Sequence, residues 1–106
     1  MARLDVTEPA GALGEEEAVQ VKHNNLLIAL CRTTEGFFAV DDTCPHATAS
    51  LAEGYVIDNL IECPLHQAQF DLATGEYVAG PQCANLKSYP VIEDNELVFL
   101  ELPDGH

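Results

Sequence analysis

Two short stretches decide how this chain folds: CPH at residues 44–46 and CPLH at residues 63–66, separated by sixteen residues. Each stretch supplies one thiol and one imidazole, which are soft and borderline donors suited to zinc or iron. The four donors are the side chains of Cys44, His46, Cys63 and His66. Together they make the ligand set of one complete metal site at the tips of two loops.

The type of metal follows in part from the ligands and their spacing. Two Cys and two His suit tetrahedral zinc, or a two-iron cluster in which two histidines replace two cysteines on one iron. Zinc modules usually have at least two residues between paired ligands, often with one pair on a helix, whereas here one residue separates the first pair. Neither pair lies in a helical pattern. The spacing favours an iron-sulfur cluster, with a zinc-stabilised interaction module as the alternative.

Both stretches resemble the Rieske [2Fe-2S] signature in residues and in spacing. The similarity continues over most of the chain, at EGY 53–55, IE 61–62, FD 70–71, TG 74–75, GP 80–81 and KSYPV 87–91. In these segments the chain is similar to the small Rieske ferredoxins of bacterial multicomponent aromatic-ring-hydroxylating dioxygenases.

This resemblance implies a fold class and a role for each ligand. It implies an all-β Rieske-type fold, with an antiparallel β-sandwich or barrel base and an inserted cluster-binding subdomain at about 43–82. The whole chain, 1–106, would be a single Rieske ferredoxin domain. In the family, both cysteines bind the inner iron and both histidines bind the outer iron near solvent. That arrangement implies one [2Fe-2S] cluster on Cys44, Cys63, His46 and His66, with electrons passing over the exposed imidazole edges.

The function implied by the resemblance is that of a one-electron carrier rather than an enzyme. The electron would come from a flavin-dependent NAD(P)H reductase and go to a terminal Rieske non-haem iron ring-hydroxylating oxygenase. The sequence has no G-x-G-x-x-G for a dinucleotide, and only His23 and His106 remain for any second iron site. The alternative within the same fold is a Rieske-like small subunit of a reductase such as nitrite reductase.

Several positions differ from related proteins in ways that predict a low reduction potential. Respiratory-chain Rieske proteins have a disulfide joining the two loops, where this chain has Ala49 and Leu65. They also direct a serine and a tyrosine hydroxyl at the cluster sulfurs, where this chain has Ala68 and Phe70. With these stabilisers of the reduced state missing, we expect a potential near the low end of about −150 to +300 mV.

Glycines that similar ferredoxins often have beside the ligand histidines are also absent. Ala47, Gln67 and Ala68 occupy those places. Since glycine permits positive φ and close backbone approach, the loops are expected to differ in fine geometry.

The charge balance excludes some classes of partner. Four Lys and Arg face eighteen Asp and Glu, for a formal net charge of −14, so nucleic acid and anionic membranes would be repelled. The excess of negative charge either steers the protein toward partners with basic docking surfaces or serves solubility, as in a uniformly acidic proteome. If it serves docking, Asp42 and Glu53 are the acidic residues expected to act near the loops. No apolar signal region or membrane span is present, which predicts a cytoplasmic protein whose cysteines bind metal. We also expect the protein to be a monomer.

The remaining patterns predict short strands and turns. Alternating or apolar runs predict strands over 3–6, 18–22, 26–32, 37–40, 55–57, 60–62, 70–71, 76–78, 87–92 and 96–100. Turns are expected at 24–25, 58–59, 73–75 and 93–95, and over the segment that contains Pro9, Gly11 and Gly14. One helical turn is expected at 50–53 and a covering loop at 79–82. No helix is expected in the first forty residues. Cys31 is predicted to be a small core residue, and Cys83 to be structural.

Overall fold

The computed structural model of the chain describes residues 2–45, 49–65 and 67–103. The elements in chain order are β1 (Ala2–Asp5), α1 (Thr7–Gly11), β2 (Glu17–His23), β3 (Leu26–Thr33), β4 (Gly36–Asp41), a 3₁₀ turn (Leu51–Glu53), β5 (Tyr55–Ile57), β6 (Leu60–Glu62), β7 (Gln69–Asp71), β8 (Tyr77–Ala79), β9 (Ser88–Tyr89), β10 (Val91–Asp94) and β11 (Leu97–Leu102). Within these ranges, no helix is both long and apolar enough to cross a membrane.

The strands form three antiparallel sheets. Their orders are β1-β11-β10, β2-β3-β4-β9 and β5-β6-β7-β8. The third sheet is built from consecutive strands between residues 55 and 79, and it lies in sequence between the strands of the other two. The prediction of an all-β fold is therefore confirmed.

Strand β3 belongs to two hydrophobic cores at once. Ile28 and Leu30 pack into the core shared with β11, whereas Ala29 and Cys31 pack into the core shared with the third sheet. Alternate side chains of a strand point to opposite faces of its sheet. Because one core covers each face of β3, all four side chains are fully buried. Burial on both faces explains why the sequence of β3 begins with an unbroken run of apolar residues instead of alternating apolar and polar ones.

The prediction of one strand over 87–92 is wrong in one respect, because the chain passes from one sheet to another in the middle of this segment. Residues before Pro90 form β9 and pair with β4, and residues after it form β10 and pair with β11. Proline has no N–H to donate to a ladder, so a regular strand is interrupted there. The carbonyl of Pro90 is still used, since it accepts a hydrogen bond from the N–H of Glu101 at 3.0 Å.

The expectation of no helix in the first forty residues is also wrong. Helix α1 occupies the segment where Pro9 and two glycines predicted a turn. Pro9 lies in the first turn of the helix, where its missing N–H has no partner to lose. The N–H of Ala10 donates to the carbonyl of Val6 at 2.9 Å, and Ala10 is buried against the base core.

The hairpin turns follow the sequence closely. Asn24 and both residues of the Asp58-Asn59 turn have positive φ, which asparagine and aspartate tolerate better than other non-glycine residues. The last turn is displaced from the predicted 93–95, since Asp94 is still in β10 and the positive φ values fall on Asn95 and Glu96.

Candidate metal centre

The two predicted ligand loops are closed by the same pattern of backbone hydrogen bonds. The N–H of Cys44 donates to the carbonyl of Ala49 at 3.0 Å, and the N–H of Cys63 donates to the carbonyl of Ala68 at 2.9 Å. Just outside each of these bonds lies an antiparallel pair of residues, Thr43 with Ser50 and Glu62 with Gln69. Cys63 therefore begins a small loop at the end of the β6–β7 ladder, and Cys44 begins one beside an isolated antiparallel bridge.

Both cysteines lie in the interior. Cys44 is 2% exposed and Cys63 is 0% exposed, and both belong to the core that joins β3 to the third sheet. Within the described residues, no pair of cysteines is joined by a disulfide. Two buried thiols in one apolar core fit the inner half of a cluster site, since thiolate sulfur binds iron and an apolar shell excludes water.

The other two predicted ligands, His46 and His66, lie outside the described residues, so their placement remains a prediction. Their neighbours show where the loops reach. Pro45 is exposed, and Leu65 is 66% exposed although it is apolar. Within the described residues, each loop therefore runs from a buried cysteine to an exposed residue, Pro45 or Leu65.

The segment after β8 lies against the second ligand loop. Gly80 has a φ of +90°, and a β-carbon on it would meet the carbonyl oxygen of Gln67 at 2.6 Å and the Cα of Ala68 at 2.9 Å. The hydroxyl of Tyr77 donates to the carbonyl of Gly80, and the side-chain oxygen of Asn85 accepts a hydrogen bond from the N–H of Tyr77. These two hydrogen bonds fix the conformation of the segment, and the close approach of Gly80 sets it against the loop.

The second loop contains a non-glycine residue in the left-handed region. Gln67 has a φ of +60°, at a place where similar ferredoxins often have glycine. The sequence predicted altered loop geometry at Ala47, Gln67 and Ala68. Of these, Ala47 lies outside the described residues.

Two of the positions predicted to lower the potential are fully buried. Ala68 and Phe70 are each 0% exposed and share the core of Cys44 and Cys63. The Phe70 ring makes an edge contact with the Tyr77 ring, with centroids 6.4 Å apart. Neither residue brings a hydroxyl into this core.

The remaining cysteines have different surroundings. Cys31 is fully buried, which confirms its prediction as a core residue, and burial followed by the nearby Asp42 charge raises the pKa of its thiol to about 12. Cys83 is partly buried against the same core. Burial, and then the neighbouring Cys63, raises the pKa of the Cys83 thiol above its ordinary value.

One acidic residue is not where the sequence placed it. Glu53 is exposed as expected, but Asp42 is only 1% exposed, so it cannot act as a docking charge at the surface. Its carboxylate accepts hydrogen bonds from the side chain of Gln20 and from the side chain and backbone of the segment that follows the first loop. Sequence reasoning missed this role because Gln20 is twenty-two residues away.

Comparison with known proteins places the chain among iron-sulfur proteins. Residues 5–90 match the family described as the Rieske [2Fe-2S] domain. The chain is 37% identical over 98 residues to the 3-phenylpropionate/cinnamic acid dioxygenase ferredoxin subunit of Shigella boydii serotype 4 (strain Sb227), covering 92% of each protein.

Solved structures show the same fold. The ferredoxin of Sphingomonas yanoikuyae B1 superimposes with a TM-score of 0.80 at 32% identity, covering 89% of this chain and 93% of that one. The ferredoxin fold in a structure described as the complex of reduced oxygenase and oxidized ferredoxin in carbazole 1,9a-dioxygenase gives a TM-score of 0.84 at 29% identity, covering 92% and 91%.

The alternative reductase subunit has the same fold at lower identity. A putative NADH-dependent nitrite reductase small subunit from Mycobacterium tuberculosis gives a TM-score of 0.81 at 20% identity, covering 93% of each chain. At this identity the likeness shows a shared fold and carries no argument about activity.

Proposed function

This chain belongs to the Rieske [2Fe-2S] domain family, and on that premise we propose that it carries single electrons from a flavin-dependent NAD(P)H reductase to a terminal ring-hydroxylating oxygenase. Its cofactor is one [2Fe-2S] cluster of the Rieske type. We take residues 1–106 as one domain that acts in the cytoplasm as a monomer. It is a component of an enzyme system and not an enzyme by itself.

The observation that carries this proposal is the pair of matching loops with buried cysteines. We assign the inner iron to Cys44 and Cys63, whose positions in one apolar core suit thiolate ligands shielded from water. We assign the outer iron to His46 and His66, which follow those cysteines along loops that reach the surface. When bound, the cluster supplies a one-electron redox couple.

The protein around the cluster then has two tasks. The core of Ala68, Phe70 and the two cysteines keeps water away from the sulfurs, which affects the potential. The acidic surface, with a net charge of −14, favours encounter with partners that have basic docking surfaces. The exposed side chain of Leu65, which precedes the proposed ligand His66 in sequence, supplies an apolar contact for such a partner.

The identity of the partners is inferred from relatives. The Shigella relative is named a 3-phenylpropionate/cinnamic acid dioxygenase ferredoxin subunit, and the carbazole structure is described as a complex of oxygenase and ferredoxin. An oxygenase acting on an aromatic ring is therefore the proposed electron acceptor.

A redox-poised EPR titration of the purified protein tests the proposal first. We expect a rhombic spin-half signal that appears on reduction, with a midpoint near the low end of about −150 to +300 mV. A midpoint above about +100 mV would contradict the low-potential part of the proposal. Bound zinc with no EPR signal at any potential would instead identify a zinc-stabilised interaction module.

Electron delivery is tested separately, with a purified ring-hydroxylating oxygenase and its flavin-dependent reductase. Product formation should require this protein and should stop when its cluster is removed. Equal product formation without it would contradict the carrier role even if the cluster is present.

A further inference from the structure

Asp42 is a buried carboxylate at the junction between the base sheets and the first ligand loop. It follows the last residue of β4 and precedes Cys44 by two positions. It is 1% exposed and is among the largest fully buried side chains of the described residues. A buried carboxylate is unfavourable unless several donors satisfy it, so its partners reveal its role.

Three donors surround the two carboxylate oxygens. Oδ1 accepts hydrogen bonds from the hydroxyl of Ser50 at 3.0 Å and from the N–H of Ala52 at 2.9 Å. Oδ2 accepts a hydrogen bond from the side-chain amide of Gln20 at 2.7 Å. One oxygen thus holds the segment that leaves the first ligand loop, and the other is anchored to β2.

The backbone of Asp42 strengthens the same connection. Its N–H donates to the carbonyl of Leu27 at 3.0 Å, and its carbonyl accepts from the N–H of Leu51 at 2.6 Å. Asp42 therefore fixes the start of the loop to β3 and the end of the loop to itself. The loop between these points, residues 44–49, contains Cys44 and is closed at its neck by the pairing of Thr43 with Ser50.

The preceding residue provides a natural comparison. The carboxylate of Asp41 accepts hydrogen bonds from the hydroxyl of Tyr89 at 2.7 Å and from the N–H of Lys87 at 3.0 Å. Both partners belong to the β9 region, so Asp41 ties two base strands together. The two neighbouring aspartates therefore have similar chemistry but hold different parts of the fold.

We propose that Asp42 is a positioning residue for the cluster: it holds the first ligand loop closed so that Cys44 stays in place to bind iron. The proposal rests on the assignment of Cys44 as a ligand, and it does not depend on which reductase or oxygenase the protein serves.

The test compares Asp42→Ala, Asp42→Asn and Asp41→Ala in the cluster-loaded protein. The readouts are the rate of cluster loss in the presence of an iron chelator, followed by visible absorbance, the EPR line shape, and the urea midpoint of unfolding. Asp42→Ala leaves three donors without an acceptor, so we expect cluster loss at least about tenfold faster and a broadened EPR signal.

The conservative variant should rescue the loop. The amide introduced by Asp42→Asn keeps a carbonyl oxygen for Ser50 and Ala52, and Gln20 can turn its own amide so that its oxygen accepts from the new amide group. We expect a rate of cluster loss within about threefold of wild type and an unchanged EPR line shape. Asp41→Ala should lower the urea midpoint while leaving both cluster readouts close to wild type.

Two results would overturn the proposal. One is cluster loss from Asp42→Ala within about twofold of the wild-type rate, and the other is loss from Asp41→Ala as fast as from Asp42→Ala. If Asp42→Ala does not fold, Ser50→Ala removes a single hydrogen bond and should still speed cluster loss several-fold, and an unchanged rate there would also overturn it. A wild-type protein without any cluster would instead defeat the proposed function.

Discussion

Gly80 lies so close to Gln67 that a β-carbon on the glycine would be 2.6 Å from the carbonyl oxygen of Gln67. This contact joins the segment after β8 to the loop that contains Cys63. Because both partners near the missing β-carbon are backbone atoms, the loop has to move if the space is filled.

Gly80→Ala is therefore expected to lower the free energy of unfolding by about 2 kcal/mol or more, from the positive φ and the clash together. It should also speed cluster loss, since the second ligand loop is displaced. Urea unfolding and chelator-driven bleaching measure the two effects. Gly11→Ala is the control, since a β-carbon there meets nothing within 4 Å. A Gly80→Ala protein as stable as Gly11→Ala would show that the loop can shift at little cost.

Substitution of the cysteines should separate ligands from other thiols. Cys44→Ser and Cys63→Ser are expected to abolish the visible absorbance and the iron content of the purified protein, because a cluster needs its thiolate ligands. Cys31→Ala and Cys83→Ala should retain full iron content, with a loss of about 1 kcal/mol in stability at Cys31 from the small cavity. Loss of iron from Cys83→Ala would mean that Cys83, which lies beside Cys63, contributes to the site.

Alkaline pH should destabilise the fold through two buried groups. Burial, and then the Asp42 charge, raises the pKa of Cys31 from 9.0 to about 12. Between these values the unfolded chain releases a proton that the folded chain keeps. The free energy of unfolding therefore falls as pH rises above about 9, by up to about 1.4 kcal/mol per pH unit. Burial, followed by the hydrogen bond and the charge of Asp41, also raises the pKa of Tyr89, which acts in the same direction.

Urea unfolding at a series of pH values from about 8 to about 11 measures how the free energy of unfolding changes with pH. This range spans the region near about pH 9 in which the effect begins. In Cys31→Ala, unfolding should release about one proton fewer, so the free energy of unfolding should fall less steeply with pH. In Tyr89→Phe, the fall in the free energy of unfolding should be smaller at the highest pH values. A slope in Cys31→Ala identical to that of wild type would contradict the contribution of Cys31.

Ala68→Ser, which introduces a hydroxyl, should raise the reduction potential of the cluster. Ala68 is fully buried in the core of Cys44 and Cys63, the two proposed ligands, at the place where the resemblance puts the serine of respiratory-chain proteins. A hydrogen bond about 1 kcal/mol stronger in the reduced state corresponds to about 40 mV for one electron. Ala39→Ser is the control, since Ala39 is equally buried but packs in the base core. Protein-film voltammetry measures the potential of both variants. A wild-type potential in Ala68→Ser as well as in the control would contradict the prediction.

Charge reversal at Glu53 should slow association with an electron-transfer partner that has a basic docking surface. Glu53 is exposed in the 3₁₀ turn after the first ligand loop, whereas Glu8 is exposed in α1 of the base. Glu53→Lys and Glu8→Lys change the net charge equally, so a larger drop in rate for Glu53→Lys reports a local docking effect. The drop should shrink as ionic strength rises. Equal rates for both variants would indicate that docking near this turn is not electrostatic.

The sequence predicted local features better than long-range ones. The hairpins at Asn24 and Asp58 were predictable because their turn residues tolerate positive φ, and the cysteine loops because their spacing is distinctive. Helix α1 was missed because Pro9 and its neighbouring glycines indicate a turn when read alone. The burial of Asp42 was missed because nothing near it in sequence identifies Gln20 as its partner.

The sharing of β3 between two cores has a consequence for cooperativity. Its inward residues on one face support the base, and those on the other face support the core that contains Cys44 and Cys63. Neither core can open by separation from β3 without exposing the apolar side chains of a strand that the other core needs. We therefore expect the base and the cluster region to melt as one cooperative unit, in which β3 is the last strand to exchange its amide protons with solvent.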